Sequence, residues 1–257
     1  MIVSVLVCTL NEEANIRLRI ENLNALLPPS GEVIVRLFVL DNGSTDKTVE
    51  IAEGLVPASN YELSIITLPP IGKCGSLFWA FKNIDSDYFI LTDANTFFAK
   101  DVMVKFISNF KDHPLSSTFI GNFRPFKSFK EGLFFLESTS TRFSLRLFIE
   151  STIGKFSGAN GACYAVSKKG VLNINNLPPV RNDDFIISIF SSSNRDVIFD
   201  YSIKAFEIED LNYYQTFKHK FRDSLGHYQA LQWLYRYYDS WSFPIFFRLF
   251  FWFAPIL

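Results

Sequence analysis

The chain has 257 residues, enough to bury a full hydrophobic core, so we expect one α/β domain with at most a small appendage. Its 25 basic and 26 acidic residues nearly cancel, which excludes the broad positive field that sequence-independent nucleic-acid binding needs. The cysteines Cys8, Cys74 and Cys163 are far apart, which argues against a disulfide framework or a zinc knuckle and predicts small buried side chains in a reducing cytosol.

The first strand and helix are predicted at the start of the chain. Residues 3–9 (VSVLVCT) are β-branched and continuously apolar, as in a strand covered on both faces, and the lack of a basic segment argues against a signal peptide. We expect Asn11 to cap a helix that ends at Pro28 and Pro29. The predicted apolar face of this helix comprises Ile16, Ile20, Leu23 and Leu27.

Three further strands are predicted at 32–41, 63–68 and 88–93, separated by a turn and helix at 42–55 and a short helix at 73–84. Four strands separated by helices indicate a parallel, doubly wound sheet. In such a sheet ligands bind beyond the carboxyl ends of the strands, which is where Thr9, Asp41 and Asp93 fall.

The second half is richer in aromatic residues. A strand is predicted at 117–126, and the basic, aromatic helix predicted at 127–152 is either a core-packing helix or a membrane-surface helix. The later patterns predict a glycine-rich turn and strand at 156–170, a helix start at 181–190, two short strands at 197–209 and a helix at 212–238.

The final apolar segment, 243–257, contains two prolines and is shorter than the roughly 20 residues that a bilayer span needs. It predicts an in-plane or re-entrant membrane contact, with a tail packed on the domain as the alternative.

Acidic and amide side chains follow three of the predicted strands. Glu12 follows the first, Asp41 and Asn42 the second, and Asp93 and Asn95 the fourth. Carboxylate and carbonyl oxygens are ligands of hard divalent cations, and magnesium is usually held by one or two carboxylates plus substrate phosphates. Each group alone also fits a turn, but together they predict a bound nucleoside diphosphate. No G-x-G-x-x-G or P-loop pattern follows the first strand.

Five segments, in order, resemble inverting family 2 glycosyltransferases with the GT-A fold, of the type found in bacterial polysaccharide or lipid-glycan biosynthesis. They are VSVLVCTLNEEANI, FVLDNGSTDKT, GKCGSLFWAFKNIDSDYFILTDANT, SGANGACYAVSKKGV and RNDDFIISI, and the resemblance extends from residue 3 to about 226. It implies a doubly wound, mostly parallel sheet with flanking helices, with a nucleotide-binding half at 1–115 and an acceptor-binding half at 116–240. Composition adds an aromatic-rich C-terminal helical segment and a membrane-contacting tail at 241–257.

The resemblance implies a role for each matching residue. Asp93 and Asn95 would take the metal-ligand places for Mg²⁺ or Mn²⁺. Asp184, next to Asp183, would be the general base that takes the proton of the acceptor hydroxyl, although two acids at a helix start also fit a cap. The residues implied to contact the nucleotide sugar are Thr9, Asn11, Glu12, Asp41, Asn42, Lys73, Asp93 and Arg222.

Three departures from the family pattern bear on these roles. Asn42 replaces a second aspartate, and an amide both donates and accepts, which bears on the preferred base. Asn95 replaces the second acid of D-x-D and exchanges a negative charge for a neutral oxygen, which predicts a weakly held cation. Asp223 replaces the tryptophan that follows the arginine in the Q-x-x-R-W-x-x-G pattern of processive synthases, which favours transfer of a single sugar.

The resemblance therefore implies a transferase that moves one sugar from a nucleotide diphosphate sugar to a lipid-linked or growing glycan acceptor, peripheral to the inner face of the cell membrane. The two asparagines suggest an alternative, a degenerate partner protein that binds the nucleotide sugar without turnover. A nucleotidyltransferase on a similar sheet would need a basic, glycine-rich loop after the first strand, where this chain has the acidic TLNEEAN.

Overall fold

A computed structural model describes residues 1–56, 59–126, 162–171 and 197–208, together with positions 187, 225 and 229. The predicted helix at 127–152 and the apolar segment at 243–257 lie outside the described residues, as do nearly all of the helix start at 181–190 and of the helix predicted at 212–238. Within them, no helix combines the length and the apolar character that crossing a membrane requires.

The described chain forms one eight-stranded mixed sheet with the order β3-β2-β1-β4-β7-β6-β8-β5. Its strands are β1 (Ile2–Thr9), β2 (Ile34–Asp41), β3 (Glu62–Thr67), β4 (Tyr88–Asp93), β5 (Thr96–Phe98), β6 (Thr118–Phe126), β7 (Tyr164–Ser167) and β8 (Val197–Ile208). Its helices are α1 (Ile16–Asn24), α2 (Thr48–Gly54), α3 (Gly72–Asn83), α4 (Val102–Asp112) and α5 (Lys168–Val171).

The first four strands form the parallel half of the sheet, as predicted from the alternation of strands and helices. β1 lies between β2 and β4 and pairs in parallel with both, and β2 pairs in parallel with β3. Because successive residues of β1 point to opposite faces, the sheet has a core on each side. Val5 belongs to the cluster that contains α1 and α4, whereas Leu6 belongs to the cluster that contains α3.

Beyond β4 the sheet becomes mixed. β7 pairs antiparallel with both β4 and β6, and β8 pairs parallel with β6 and antiparallel with β5. The predicted pair of strands at 197–209 is a single strand, β8, with an irregularity. Its pairing with β6 jumps from Gly121↔Asp200 to Asn122↔Lys204, because three residues of β8 are accommodated as a bulge.

The prediction that Asn11 caps α1 is wrong. α1 begins at Ile16 after Asn15, whereas Asn11 has a positive φ of 56° and its side chain accepts a hydrogen bond from the Thr45 amide. Leu27 is also not part of the apolar face, because the helix ends at Asn24 and helical spacing no longer applies. Leu26 is buried in its place. Cys74 and Cys163 are buried, as predicted, whereas Cys8 is only partly buried, and none of the three forms a disulfide.

Gly121, at the irregular pairing, touches two side chains. A Cβ at this position would lie 2.6 Å from Sγ of Cys163 and 2.7 Å from Cγ2 of Ile203. Gly121→Ala is therefore expected to lower the free energy of unfolding in urea by about 1–3 kcal/mol through overpacking. Gly54→Ala is the control, because in the described part of the chain no atom outside its own helix turn lies within 4 Å of its Cβ position, and it should be neutral or stabilising. Equal stability of Gly121→Ala and the parent protein would contradict this close packing.

Candidate functional site

The carboxyl ends of β1, β2 and β4 meet at one edge of the sheet. Thr9 pairs with Asp41, and Cys8 pairs with Asp93, so the residues that follow these strands are neighbours. All eight predicted site residues in the described ranges lie at or next to this edge, namely Thr9, Asn11, Glu12, Asp41, Asn42, Lys73, Asp93 and Asn95. Asp183, Asp184 and Arg222 lie outside the described residues.

The carboxylate of Asp41 shapes the turn that follows β2. Its Oδ2 accepts hydrogen bonds from the backbone amides of Gly43 and Ser44, both at 3.1 Å, and its Oδ1 accepts from the hydroxyls of Ser44 and Thr9. The side chain is buried. Asp41 therefore acts within the protein by fixing the turn, and Gly43 permits the positive φ of 88° that this turn requires.

Asn42 connects the end of β2 to the start of α3. Its side-chain Oδ1 accepts from the Gly72 amide at 3.0 Å and from the Ser76 hydroxyl at 3.4 Å, while its backbone amide donates to the Thr9 carbonyl at 3.0 Å. The side chain is buried. The amide that departs from the family pattern thus supplies an acceptor for an N-terminal donor of α3.

The loops after β1 and β2 are joined by hydrogen bonds that the sequence analysis missed. The Asn11 amide donates to Ser44 Oγ at 2.9 Å, and the Glu12 amide donates to Thr48 Oγ1 at 2.8 Å. Glu13 and Asp46 add a further link, because the Glu13 amide donates to Asp46 Oδ2 at 3.1 Å. The signal was the cluster of hydroxyl and acidic residues in NGSTDKT, which was interpreted as a turn, a helix start and part of a family segment, but not as a link between loops.

Acidic side chains of these loops influence one another. Burial raises the pKa of Glu12 above its ordinary value, and the negative charges of Asp93 and Asp46 raise it further, whereas a hydrogen bond from Asn15 opposes the shift. Glu12 and Asp93 are thus close enough for their charges to interact across the edge of the sheet.

Asp93 forms a salt bridge with Lys73 at the start of α3. Lys73 Nζ lies 2.7 Å from Asp93 Oδ1, and the two side chains are 30% and 32% exposed. Asp93 ends β4, and only the buried Ala94 separates it from Asn95 before β5 begins. The structure therefore places an acid, an amide and a cationic side chain around one short turn.

The Asp93 carboxylate and the Asn95 amide supply only part of the coordination shell that a divalent cation needs. Among the described residues, no group of three or more His, Cys, Asp or Glu side chains is placed to hold a metal ion. One carboxylate and one amide oxygen are enough for magnesium or manganese only when substrate phosphates complete the coordination shell. Lys73 also competes for Asp93, so these residues fit a cation that is held together with a diphosphate.

The sequence matches the family described as Glycosyl transferase family 2 over residues 4–162, which is well over half of the chain. The chain belongs to this family. The match includes the loops after β1, β2 and β4 that form the site, and it confirms the family expected from the five segments. No curated protein matches the sequence.

Solved structures of family 2-like glycosyltransferases have the same fold. The mannosyltransferase PcManGT from Pyrobaculum calidifontis, in complex with GDP-Man and Mn²⁺, is similar with a TM-score of 0.73 and 18% identity, over 91% of this chain and 64% of that one. S. aureus TarS 1–349 with UDP-GlcNAc has a TM-score of 0.59 at 17% identity, over 84% and 61%. Glucosyl-3-phosphoglycerate synthase from Mycobacterium tuberculosis, with Mn²⁺, UDP and glucosyl-3-phosphoglycerate, has a TM-score of 0.58 at 17% identity, over 91% and 79%.

These likenesses establish the GT-A type of fold expected from the sequence. The present chain spans somewhat less than two thirds of the length of the mannosyltransferase and of TarS 1–349. The roles of individual site residues remain predictions.

The link between Asn42 and α3 can be tested by mutation. Asn42→Ala removes the acceptor of the Gly72 amide and of the Ser76 hydroxyl, so we expect the free energy of unfolding to fall by about 1–3 kcal/mol. Asn83→Ala is the matched control, because its bond to the Trp79 carbonyl is exposed, and it should change the value by less than about 0.5 kcal/mol. Equal effects of the two substitutions in urea denaturation would contradict a supporting role for Asn42.

Proposed function

We propose that the chain is an inverting glycosyltransferase that moves one sugar from a nucleotide diphosphate sugar to an acceptor hydroxyl. The observation that carries the proposal is the convergence of Thr9, Glu12, Asp41 and Asp93 at the carboxyl edge of the parallel strands in a family 2 chain. Complexes of the similar structures with GDP-Man, UDP-GlcNAc and UDP support a nucleotide-sugar donor. The base is left open, because Asn42 replaces an aspartate of the family pattern and its Oδ1 already accepts from the Gly72 amide and the Ser76 hydroxyl.

The joined loops after β1 and β2 would form the base and ribose wall of the donor site, with Asn11 and Glu12 lining it. Lys73 would face the diphosphate, where its ammonium can pair with a phosphate oxygen as well as with Asp93. Asp93 and Asn95 would hold a divalent cation together with the diphosphate. When bound, such a cation neutralises the charge that develops on the departing diphosphate.

The reaction itself would be carried by Asp184, with Asp183 beside it. Its carboxylate accepts the proton of the acceptor hydroxyl as that oxygen bonds to the anomeric carbon. The bond between the anomeric carbon and the diphosphate oxygen breaks on the opposite face, so the configuration inverts. Arg222 would contact the diphosphate. Both roles rest on the resemblance of RNDDFIISI and HKFRDSLG to family segments.

We further propose that the acceptor is a lipid-linked or growing glycan at the cytoplasmic face of the membrane. Residues 1–115 would bind the nucleotide and 116–240 the acceptor, while 241–257 would contact the membrane. The support is compositional, namely the basic, aromatic character of 127–152 and the apolar character of 243–257. Asp223, in the place of a tryptophan, favours the transfer of a single sugar.

The test of this function uses the full chain, a panel of UDP- and GDP-sugars with Mn²⁺, and a membrane extract as the source of acceptor. Asp184→Asn should lower the rate of transfer by about 10²–10⁴-fold and leave the affinity for UDP or GDP within about twofold, because it removes only the base. Asp183→Asn is the adjacent control and should retain more activity.

Two outcomes would oppose the proposal. If the parent protein neither transfers nor hydrolyses any donor, with or without Mn²⁺, the catalytic function is wrong and the non-catalytic partner is favoured. If Asp184→Asn retains full activity, the general base has been assigned to the wrong residue.

The weak cation site gives a separate prediction. Asn95→Asp adds a negative charge beside Asp93, so the affinity for Mn²⁺ in the presence of UDP or GDP should rise by roughly tenfold, measured by titration calorimetry. Asn83→Asp adds the same charge at the far end of α3 and should leave Mn²⁺ binding unchanged. An unchanged Mn²⁺ affinity in Asn95→Asp would contradict the explanation that the amide weakens the site.

A further inference from the structure

Helix α1 carries a fully buried arginine behind the turn that bears Asp93 and Asn95. Arg19 donates from Nη1 to Asn22 Oδ1 at 2.8 Å and from Nη2 to Thr92 Oγ1 at 2.9 Å, and its guanidinium lies 4.3 Å from the centre of the Phe98 ring. All of these partners are neutral. Its Nε is buried and has no hydrogen-bond partner among the described residues.

Burying the charged side chain of Arg19 in the core has a large desolvation cost. Arg19 shares the buried face of α1 with Ile16, Ile20 and Leu23, where an apolar side chain would pack without desolvating a charge. Burial lowers the pKa of Arg19 to about 9, which is still above neutral pH, so the guanidinium stays charged. Because its hydrogen-bond partners among the described residues are all neutral, no direct ion pair within them offsets the loss of hydration.

Asn22, one turn further along α1, holds the other side of the same segment. Its Nδ2 donates to the Phe98 carbonyl at 3.0 Å, and its Oδ1 accepts from the Phe98 amide at 2.9 Å. Arg19 thus holds Thr92, before the turn, while Asn22 holds Phe98, after it. The two side chains are also bonded to each other, so one helix holds both ends of residues 93–97.

We propose that Arg19 and Asn22 are positioning residues that clamp segment 93–97 and hold Asp93 and Asn95 in the arrangement that binds a nucleoside diphosphate. The ligand in this proposal rests on the proposed function, whereas the clamp rests on the hydrogen bonds alone. The planar fork of a guanidinium suits the task, because its two terminal nitrogens bond two separate oxygens in a fixed geometry that a lysine cannot reproduce.

The charge of Arg19 adds to this geometry. It lies close enough to Asp93 for the two charges to attract each other, although Asp93 makes its direct ion pair with Lys73 on the other side. A diphosphate bound at the turn would therefore meet Lys73 at the surface and a second positive charge buried behind the turn, where solvent screens it weakly.

The first experiment compares Arg19→Met, Arg19→Lys and Asn22→Ala with the parent protein. Affinities for UDP and for GDP in the presence of Mn²⁺ are measured by calorimetry, and unfolding midpoints are measured by thermal denaturation. We expect Arg19→Met and Asn22→Ala to weaken binding by about tenfold, a loss of about 1.4 kcal/mol. The midpoint of Arg19→Met should be unchanged or raised, since a desolvated charge is removed.

Two comparisons separate the clamp from simpler explanations. Leu23→Ala truncates a buried side chain on the same helix, so it should lower the midpoint and leave nucleotide affinity unchanged. Arg19→Lys keeps the charge without the fork, so it should lose nearly as much affinity as Arg19→Met. Full affinity in Arg19→Lys would overturn the clamp in favour of charge alone. The clamp would also be overturned if nucleotide affinity fell in every variant, including Leu23→Ala, in proportion to the fall of its unfolding midpoint, as expected for a general core defect.

The second experiment needs no ligand. Hydrogen–deuterium exchange of the backbone amides of 93–98 should be faster in Arg19→Met and Asn22→Ala than in the parent protein, and unchanged in Leu23→Ala. Unchanged exchange in both clamp variants would overturn the proposal. If the parent protein binds neither UDP nor GDP, the proposed function fails, and the exchange rates still decide whether the clamp exists. Should Arg19→Met fail to fold, Arg19→Lys and Asn22→Ala provide the same comparison.

Discussion

The parallel pairing of β1 with β2 and β4 is the constraint on which the site depends. Because all three strands run in the same direction and end at the same level, residues more than eighty positions apart in sequence become neighbours at one edge. The same pairing leaves both faces of β1 buried under helices, which explains why its sequence is apolar except for Ser4 and Thr9. A slip of one residue in this register would exchange the two faces of the sheet and separate the acids.

The edge is a set of loops held by hydrogen bonds between side chains and backbone. The carboxylate of Asp41 organises its own turn, Asn42 supports the start of α3, and Ser44 and Thr48 connect the loops after β1 and β2. These bonds satisfy backbone amides that no regular element pairs. Some polar residues of the family motif, such as Asp41 and Asn42, therefore hold the loops in place through hydrogen bonds to backbone amides.

Charge at this edge is balanced from two sides. Lys73 pairs with Asp93 at the surface, and Arg19 lies buried behind the same turn. Lys73 pairs with Asp93, and Asn95 carries no charge, so this turn holds less unpaired negative charge than a turn with two acids would. A smaller unpaired charge fits the proposed site, in which a cation would be held together with a diphosphate.

Several elements were predictable from local sequence, and others depended on distant partners. β1 and β4 were predicted within one residue, because continuous β-branched and apolar runs mark buried parallel strands. β5 was missed, since three residues become a strand only by pairing with β8. α4 was also missed, although its buried Val102, Met103, Phe106, Ile107 and Phe110 follow a helical period that the sequence displays.

The sequence by itself determined the family, the fold class and the edge of the sheet at which the predicted site residues lie. Hydrophobic periodicity and the order of the five motifs can both be read from the chain alone. Only the tertiary structure decided how those residues are used. In the structure Asn11 does not cap a helix but accepts a hydrogen bond from the Thr45 amide in the next loop. Lys73 forms a salt bridge with Asp93, and Arg19 donates a hydrogen bond to Thr92, more than seventy positions away. Such contacts depend on strand pairing and helix packing, which join side chains that no sequence spacing relates.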